Sequence, residues 1–237
     1  MINHPLYPNG NLYLSGGMQF ADNLGASWRE QCSITLRGMK YYPIDITSLD
    51  KEYSAVCGHP YMFLETTDLL QYKSNIRRQI VRADIELVRH HSHALVVYFD
   101  VAAQRGAGTQ SECQEAYDHD VPYFLVNGLP EWKQVPGWIR ANATRMFDTF
   151  DDLHQYLGKL PDRILQRDVY GNRHAAPYYL CSLCGDPFTK SGAQFVSKLT
   201  PIYCKSCVDI VKRTHEAHAD RYEFFIQQME KDAKQGE

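Results

Sequence analysis

Apolar positions along this chain fall into short continuous runs that alternate with stretches of helical period. Residues 11–15 (NLYLS) predict a strand closed by Gly16-Gly17. Residues 22–38 predict a helix, because Leu24, Trp28 and Cys32 form one i, i+4 row and Ile34 and Leu36 continue the apolar content. Residues 39–46 (MKYYPIDI) predict a second strand, weakened toward its end by Pro43, which has no N–H for a ladder. Residues 47–67 read as irregular, with Gly58 and Pro60. A long helix is expected over 68–91, a buried strand over 93–99 (HALVVYF), a helix over 109–119 and a strand over 121–126 (VPYFLV). Residues 127–137 form a loop with Gly128, Pro130, Pro136 and Gly137, and 151–157 a last helix.

Strands that alternate with helices predict an α/β protein, with a parallel sheet covered on both faces. The layer ends near Leu160, which gives a first domain over 1–160. Residues 161–177 are polar and irregular and read as a linker, and 178–237 make a second module. The 237 residues suit one ordinary domain with an appendage. Hydrophobic residues at 44% and charged residues at 22% fit a soluble globular protein. A net charge of −3 gives no general affinity for nucleic acid. No apolar run approaches the roughly 20 residues of a membrane span. The N-terminus lacks a basic stretch before an apolar core, so the cytoplasm is the expected setting. In that setting the seven cysteines favour metal ligation or free thiols over disulfides.

Candidate chemistry begins where the strand 93–99 meets Asp100 and continues through Gly108-Thr109-Gln110-Ser111-Glu112. Ligands of such sheets bind outside the carboxyl ends of the strands. Acids at that edge suit chemistry at a sugar carbon, where one carboxylate attacks and another group handles a proton. Thr109-x-x-Glu112 also fits a capping box, in which both side chains satisfy backbone N–H groups at a helix start. Ser15-Gly16-Gly17-Met18 is a turn whose backbone can approach a phosphate or a sugar hydroxyl closely. It lacks the third glycine of a dinucleotide fingerprint. Asp84 shares an i, i+4 row with Ile76, Ile80 and Val88. A carboxylate in such a row is costly unless it is hydrogen-bonded or faces a site. A solvated acid, or one paired with Arg77 or Arg82, is the other reading.

Together these residues resemble the nucleoside 2-deoxyribosyltransferase-like family. Tyr13-Leu14-Ser15-Gly16-Gly17-Met18, then Leu24-Gly25-Ala26-Ser27-Trp28-Arg29, is similar to the family's opening. Ala83-Asp84, the strand ending at Asp100, and Gly108-Thr109-x-x-Glu112 follow in the same order. The stretch between Asp100 and Glu112 is longer than in typical members. The resemblance spans residues 11–128 and implies a flavodoxin-like domain that cleaves the N-glycosidic bond of a nucleoside or nucleotide. By position it implies Glu112 as nucleophile and Asp84 and Asp100 as the acids that contact and protonate the leaving base. It implies sugar-side contacts from Tyr13 and the Gly16-Gly17 turn, and further substrate contacts from Ser15, Gly108, Thr109 and Arg29. Arg29, Arg77, Arg78 and Arg105 are candidates for a 5′-phosphate, or solvated surface charges. The family also implies a homo-oligomer, and no organic cofactor is expected.

The strongest local pattern is Cys181-x-x-Cys184 and Cys204-x-x-Cys207, separated by 19 residues. Two such pairs have the spacing of a tetrahedral Zn²⁺ site, and Gly185 and Pro187 after the first pair suggest a zinc ribbon. Four thiolates leave no open position, so the zinc is expected to be structural. Cys32, Cys57 and Cys113 read as buried or incidental. Beyond the module, Val208, Val211, His215, His218, Tyr222, Phe225 and Met229 keep a 3-4 spacing, so a C-terminal helix is expected to pack on the domain or another subunit. Its two histidines could bind a metal, but packing roles suffice. His90, His91 and His93 suit a helix C-terminus. Residues 181–213 carry five Lys/Arg against two acids, which leaves room for nucleic-acid contact. Two rival functions share this sequence: a nucleotide sensor without cleavage, and a base-modifying enzyme docked on nucleic acid by the zinc module.

Overall fold

Strand β1 (Gly10–Gly16) is buried at every position and lies between two parallel neighbours. The computed structural model describes residues 6–48, 51, 68–75, 80–165, 178–181, 183–189, 194–195, 202–210 and 212–214. After β1 come α1 (Ala26–Gly38), β2 (Tyr41–Ile44), α2 (Leu69–Asn75) and α3 (Arg82–Glu86). A wider π-type turn, Leu87–His91, continues α3. Then follow β3 (Ala94–Phe99), α4 (Val101–Arg105), α5 (Ala107–Asp118) and β4 (Tyr123–Asn127). The layer closes with α6 (Gly137–Asn142), β5 (Arg145–Phe147) and α7 (Phe150–Lys159).

The five strands form one sheet in the order β2-β1-β3-β4-β5, and every pairing is parallel. This is the flavodoxin-like order, with its switch point between β1 and β3. Parallel strands need crossovers, and the helices supply them on both faces. Alternation along β1 and β3 divides the core. Tyr13, Leu95, Val97 and Phe99 face one layer together with Cys113, Ala116 and Val88. Leu12, Leu14 and Val96 face the other and are fully buried. Pro43 sits within β2, an edge strand, where a missing N–H leaves no central ladder bond broken.

Several sequence expectations shift. The helix expected from residue 22 begins at Ala26. Asp22–Gly25 is a 3-10 turn in which Asn23 and Leu24 adopt left-handed φ values of 48° and 55°. The buried face of α1 is therefore Arg29, Cys32, Ser33 and Leu36, while Ile34 is exposed. Helix α5 starts at Ala107, so Thr109 and Glu112 lie inside it and form no capping box. Asp100 instead caps α4, accepting from the Ala103 N–H at 2.8 Å. The sequence reading missed α6 and β5. Of the long helix over 68–91, residues 76–79 lie outside the described residues.

The chain divides into two compact units after Tyr178. Ile164 and Leu165, within the expected linker, are buried, and residues 166–177 lie outside the described residues. In the second unit β6 (Tyr178–Leu180) pairs with β7 (Pro187–Thr189), and β8 (Gln194–Phe195) runs antiparallel to β9 (Ile202–Tyr203). A helix follows over 205–210 and 212–214. The rest of the expected C-terminal helix lies outside the described residues.

Gly17 fixes how closely α4 approaches the end of β1. A Cβ there would lie 2.4 Å from the Ala103 N and 2.5 Å from the Ala102 carbonyl carbon. Backbone cannot step aside as a flexible side chain can. Gly17→Ala is therefore expected to cost about 2 kcal/mol, within the range for overpacking. At Gly38 a Cβ meets nothing within 4 Å. Gly38→Ala should be neutral or stabilising by about 0.5 kcal/mol. Urea unfolding of both variants checks the contrast, and equal stabilities would refute it.

Candidate active site

Glu112 projects from the buried face of α5, with Thr109, Cys113 and Ala116. Tyr13 and Ser15 are two residues apart on β1, so they point to the same side of the sheet. Both meet the Glu112 carboxylate. The Tyr13 hydroxyl donates to Oε1 at 2.7 Å, and the Ser15 hydroxyl donates to Oε2 in a short hydrogen bond. Glu112 is 6% exposed and Tyr13 and Ser15 are fully buried. A carboxylate offers only acceptors, and here each oxygen receives a hydroxyl.

Burial raises the Glu112 carboxyl above the usual carboxylate range; the Ser15 and Tyr13 hydrogen bonds and the Arg29 charge oppose it. Burial also raises Tyr13 well above its ordinary value, and the charges of Glu112 and Asp84 raise it further. The phenol therefore stays a donor. Cys113 is raised well above an ordinary thiol, by burial and then by Glu112, which keeps it neutral.

Asp84 lies half-buried on α3, which packs against α5. Its charge acts on Tyr13, as does that of Glu112, which also accepts a hydrogen bond from the phenol. Asp100 is different. One of its oxygens is committed to the α4 cap, and its charge acts on Tyr98 and Arg29. Gly16 and Gly17 are accounted for by close packing. A Cβ at Gly16 would lie 2.7 Å from the Trp28 ring. Gly108 is exposed in the first turn of α5, with nothing within 4 Å of an added Cβ.

Arg29 departs most from its sequence reading as a phosphate ligand or surface charge. It is fully buried, and its guanidinium donates to the carbonyls of Leu14, Gly16, Leu24 and Gly25 at 2.8 to 3.2 Å. The row Arg29, Cys32 and Leu36, spaced i, i+3 and i+7, was the available signal. Arg105 lies over the Phe20 ring at 4.4 Å, and Arg77 and Arg78 lie outside the described residues. His93 was read as part of a cationic cluster. It is instead a fully buried core residue whose Nδ1 accepts from the Asn11 N–H at 2.8 Å. A separate cleft of about 380 Å³ opens between α1 and α7, bordered by Trp28, Tyr98, Phe150 and His154. Nothing in the sequence reading pointed to it.

In the second unit, the ligand atoms of Cys181, Cys184, Cys204 and Cys207 all lie within 4.8 Å of one another. Zinc–thiolate bonds of ~2.3 Å in a tetrahedron put sulfurs about 3.8 Å apart. Cys184 and Cys204 are 3.9 Å apart, so the donor set fits a metal ion such as zinc. The first pair forms a knuckle: the Gly185 N–H donates to the Cys181 carbonyl at 2.9 Å, and Gly185 takes φ +76°. The second pair differs from the ribbon expected. Cys204 immediately precedes the helix and Cys207 lies in its first turn. Pro187 follows the first pair and disfavours a helix there, and it opens β7 instead, whereas no proline follows Cys207 to stop a helix.

No protein-family model matches the chain, and a search of curated proteins finds no match. Among solved structures the chain is similar to a 2-deoxyribosyltransferase from the psychrotolerant bacterium Bacillus psychrosaccharolyticus, with 13% identity and a TM-score of 0.45. That match covers 62% of this chain and 91% of the other. No described helix is long and apolar enough to cross a membrane.

The raised Glu112 carboxyl has a consequence for stability. The folded protein keeps that proton to higher pH than the unfolded chain, whose value is near 4.3. Its contribution is fully present below the unfolded value and is lost as pH rises through the folded one. Glu112→Gln has no charge to desolvate. Its stability relative to wild type should therefore increase from about pH 4 to about pH 8. Melting temperatures across that range test this, and a difference that does not change with pH would refute it.

Proposed function

We propose that this protein cleaves or transfers the N-glycosidic bond of a nucleoside or nucleotide, with Glu112 as nucleophile. One observation carries the reading: a buried carboxylate, held at both oxygens by Tyr13 and Ser15, at the carboxyl edge of a parallel sheet. Two hydroxyl donors fix the direction of a carboxylate that must attack one carbon, and orientation of that kind lowers a barrier.

A carboxylate oxygen of Glu112 attacks C1′ while the C1′–N bond breaks through an oxocarbenium-like state. The bonding pair leaves with the base nitrogen, and Asp84 supplies the proton that neutralises it. A glycosyl ester on Glu112 results. In the second half an acceptor base or water attacks C1′, gives its proton to the Asp84 carboxylate and frees Glu112. Asp84 is preferred over Asp100 for the proton because Asp100 caps α4. Tyr13 and Ser15 sit beside the nucleophile; Thr109 is buried on the same face of α5. Homo-oligomer formation and a cytoplasmic setting belong to this proposal as well.

The protein should be incubated with a panel of nucleosides and their 5′-monophosphates, with and without a free acceptor base. Release of base, or exchange of base, is expected. Glu112→Ala should lower turnover by several orders of magnitude and leave the fold intact, since it removes no helix cap. Asp84→Asn should lower turnover more than stability, because the amide keeps the shape and cannot give up a proton. Near-normal cleavage by Glu112→Ala would overturn the mechanism. Binding of a nucleotide with no cleavage under any condition would favour a sensor.

We also assign Zn²⁺ to the four thiolates as a structural ion, on the fit of their spacing. Elemental analysis of protein purified without chelator should find one zinc per chain. Chelation should unfold the second unit, because metal binding supplies folding free energy in small modules. Purified protein that holds no metal, with the four cysteines in disulfides, would refute the assignment.

A further inference from the structure

Arg29 is a fully buried cation that forms no ion pair among the described residues. An isolated buried charge is costly, so something in its surroundings must hold it. Part of the answer is the four backbone carbonyls. Leu14 and Gly16 belong to the end of β1, while Leu24 and Gly25 belong to the turn before α1. One guanidinium thus ties the strand that carries Tyr13 and Ser15 to the turn that follows it. That turn is strained, since Asn23 and Leu24 are not glycine yet take φ values of 48° and 55°. Such residues persist only where the surroundings hold them. Gly25 lies against the clamp as well: a Cβ there would be 2.7 Å from an Arg29 Nη1 and 2.8 Å from the Gly17 carbonyl oxygen.

The other part is electrostatic. Of the charges that act on Arg29, Glu112 has the largest effect, ahead of Asp45, Tyr13 and Asp100. The reverse influence holds too, for Arg29 favours the charged form of Glu112. Among the described residues, the groups that touch or act on Glu112 besides Arg29 are Tyr13 and Ser15 on β1 and Cys113 on its own helix. None of these is a cation.

We propose that Arg29 is the positioning residue of Glu112: by holding the Leu14 and Gly16 carbonyls it clamps the end of β1, so that Tyr13 and Ser15 stay on the carboxylate. Its charge also favours the ionised form of that carboxylate. The role rests on Glu112 as nucleophile, because only the ionised form attacks. Lysine cannot replace the fork, since one ammonium cannot reach four carbonyls in two directions.

The test follows the Glu112 carboxyl carbon by NMR in protein labelled at glutamate, from acid to alkaline pH. Glu112→Gln identifies the resonance. Arg29→Gln should raise the titration midpoint by about one pH unit or more, a tenfold change in the ionisation constant. Arg29→Lys keeps the charge and should stay within about half a unit of wild type, while any measured kcat falls at least about tenfold through the lost clamp. A midpoint unchanged in Arg29→Gln would overturn the proposal. If Arg29→Gln does not fold, Arg29→Lys decides, and a midpoint raised by more than about half a unit with the charge in place would overturn it. The titration needs no substrate. A protein that cleaves no nucleoside would defeat the functional proposal and leave this measurement to stand on its own.

Discussion

The constraint on which the rest of the site depends is a carboxylate taken out of water. Glu112 faces the sheet where a hydrophobic residue would pack without cost. A buried carboxylate is tolerated only when its oxygens are satisfied, and the two hydroxyls of β1 satisfy them. Much of the surrounding structure follows from that need. Tyr13 and Ser15 must share a strand face. Their strand must end where α5 crosses it. Arg29 gives its N–H groups to backbone carbonyls, and its charge favours the ionised form of the acid.

The strands of the sheet were legible where apolar runs were long. β1 is buried throughout and β3 and β4 at all but one position each, and the sequence shows β3 and β4 as nearly unbroken apolar runs. β5 has only three residues, with Met146 exposed, so no period could form. Helix α6 starts behind Pro136-Gly137, a pair that reads as a turn. The pairing of Glu112 with Tyr13 is not written in either segment alone. It arises from the register Tyr13 to Leu95 and Ser15 to Val97, which sets β1 beneath α5. Asp100 shows the opposite lesson: its place at the end of a strand was legible, but its hydrogen bond from the Ala103 N–H was not.

The burial of Arg29 escaped the sequence reading because its helix was started too early. With Leu24 placed inside the helix, the row through Trp28 looked like the buried face. The left-handed turn at Asn23 and Leu24 rotates the helix start to Ala26, and Arg29 then shares a face with Cys32 and Leu36. The cysteine pairs illustrate the same point at smaller scale. Spacing disclosed a fourfold thiol set, yet the residues between and after the cysteines decide whether each pair sits on a turn or on a helix.

The distance in sequence between the partners of Glu112 also bears on how the chain reaches its fold. Tyr13 and Ser15 lie 99 and 97 residues before it. At synthesis rates of about 5–20 residues per second, β1 waits roughly 5–20 s before α5 leaves the ribosome. β2 emerges early in that interval, but the edge of β1 that pairs with β3 stays open until residues 94–99 are made. The nascent chain is therefore exposed to mispairing at the segment that will later hold the buried Glu112. Long-range parallel pairing of this kind also folds slowly, because loop closure precedes any gain from contact.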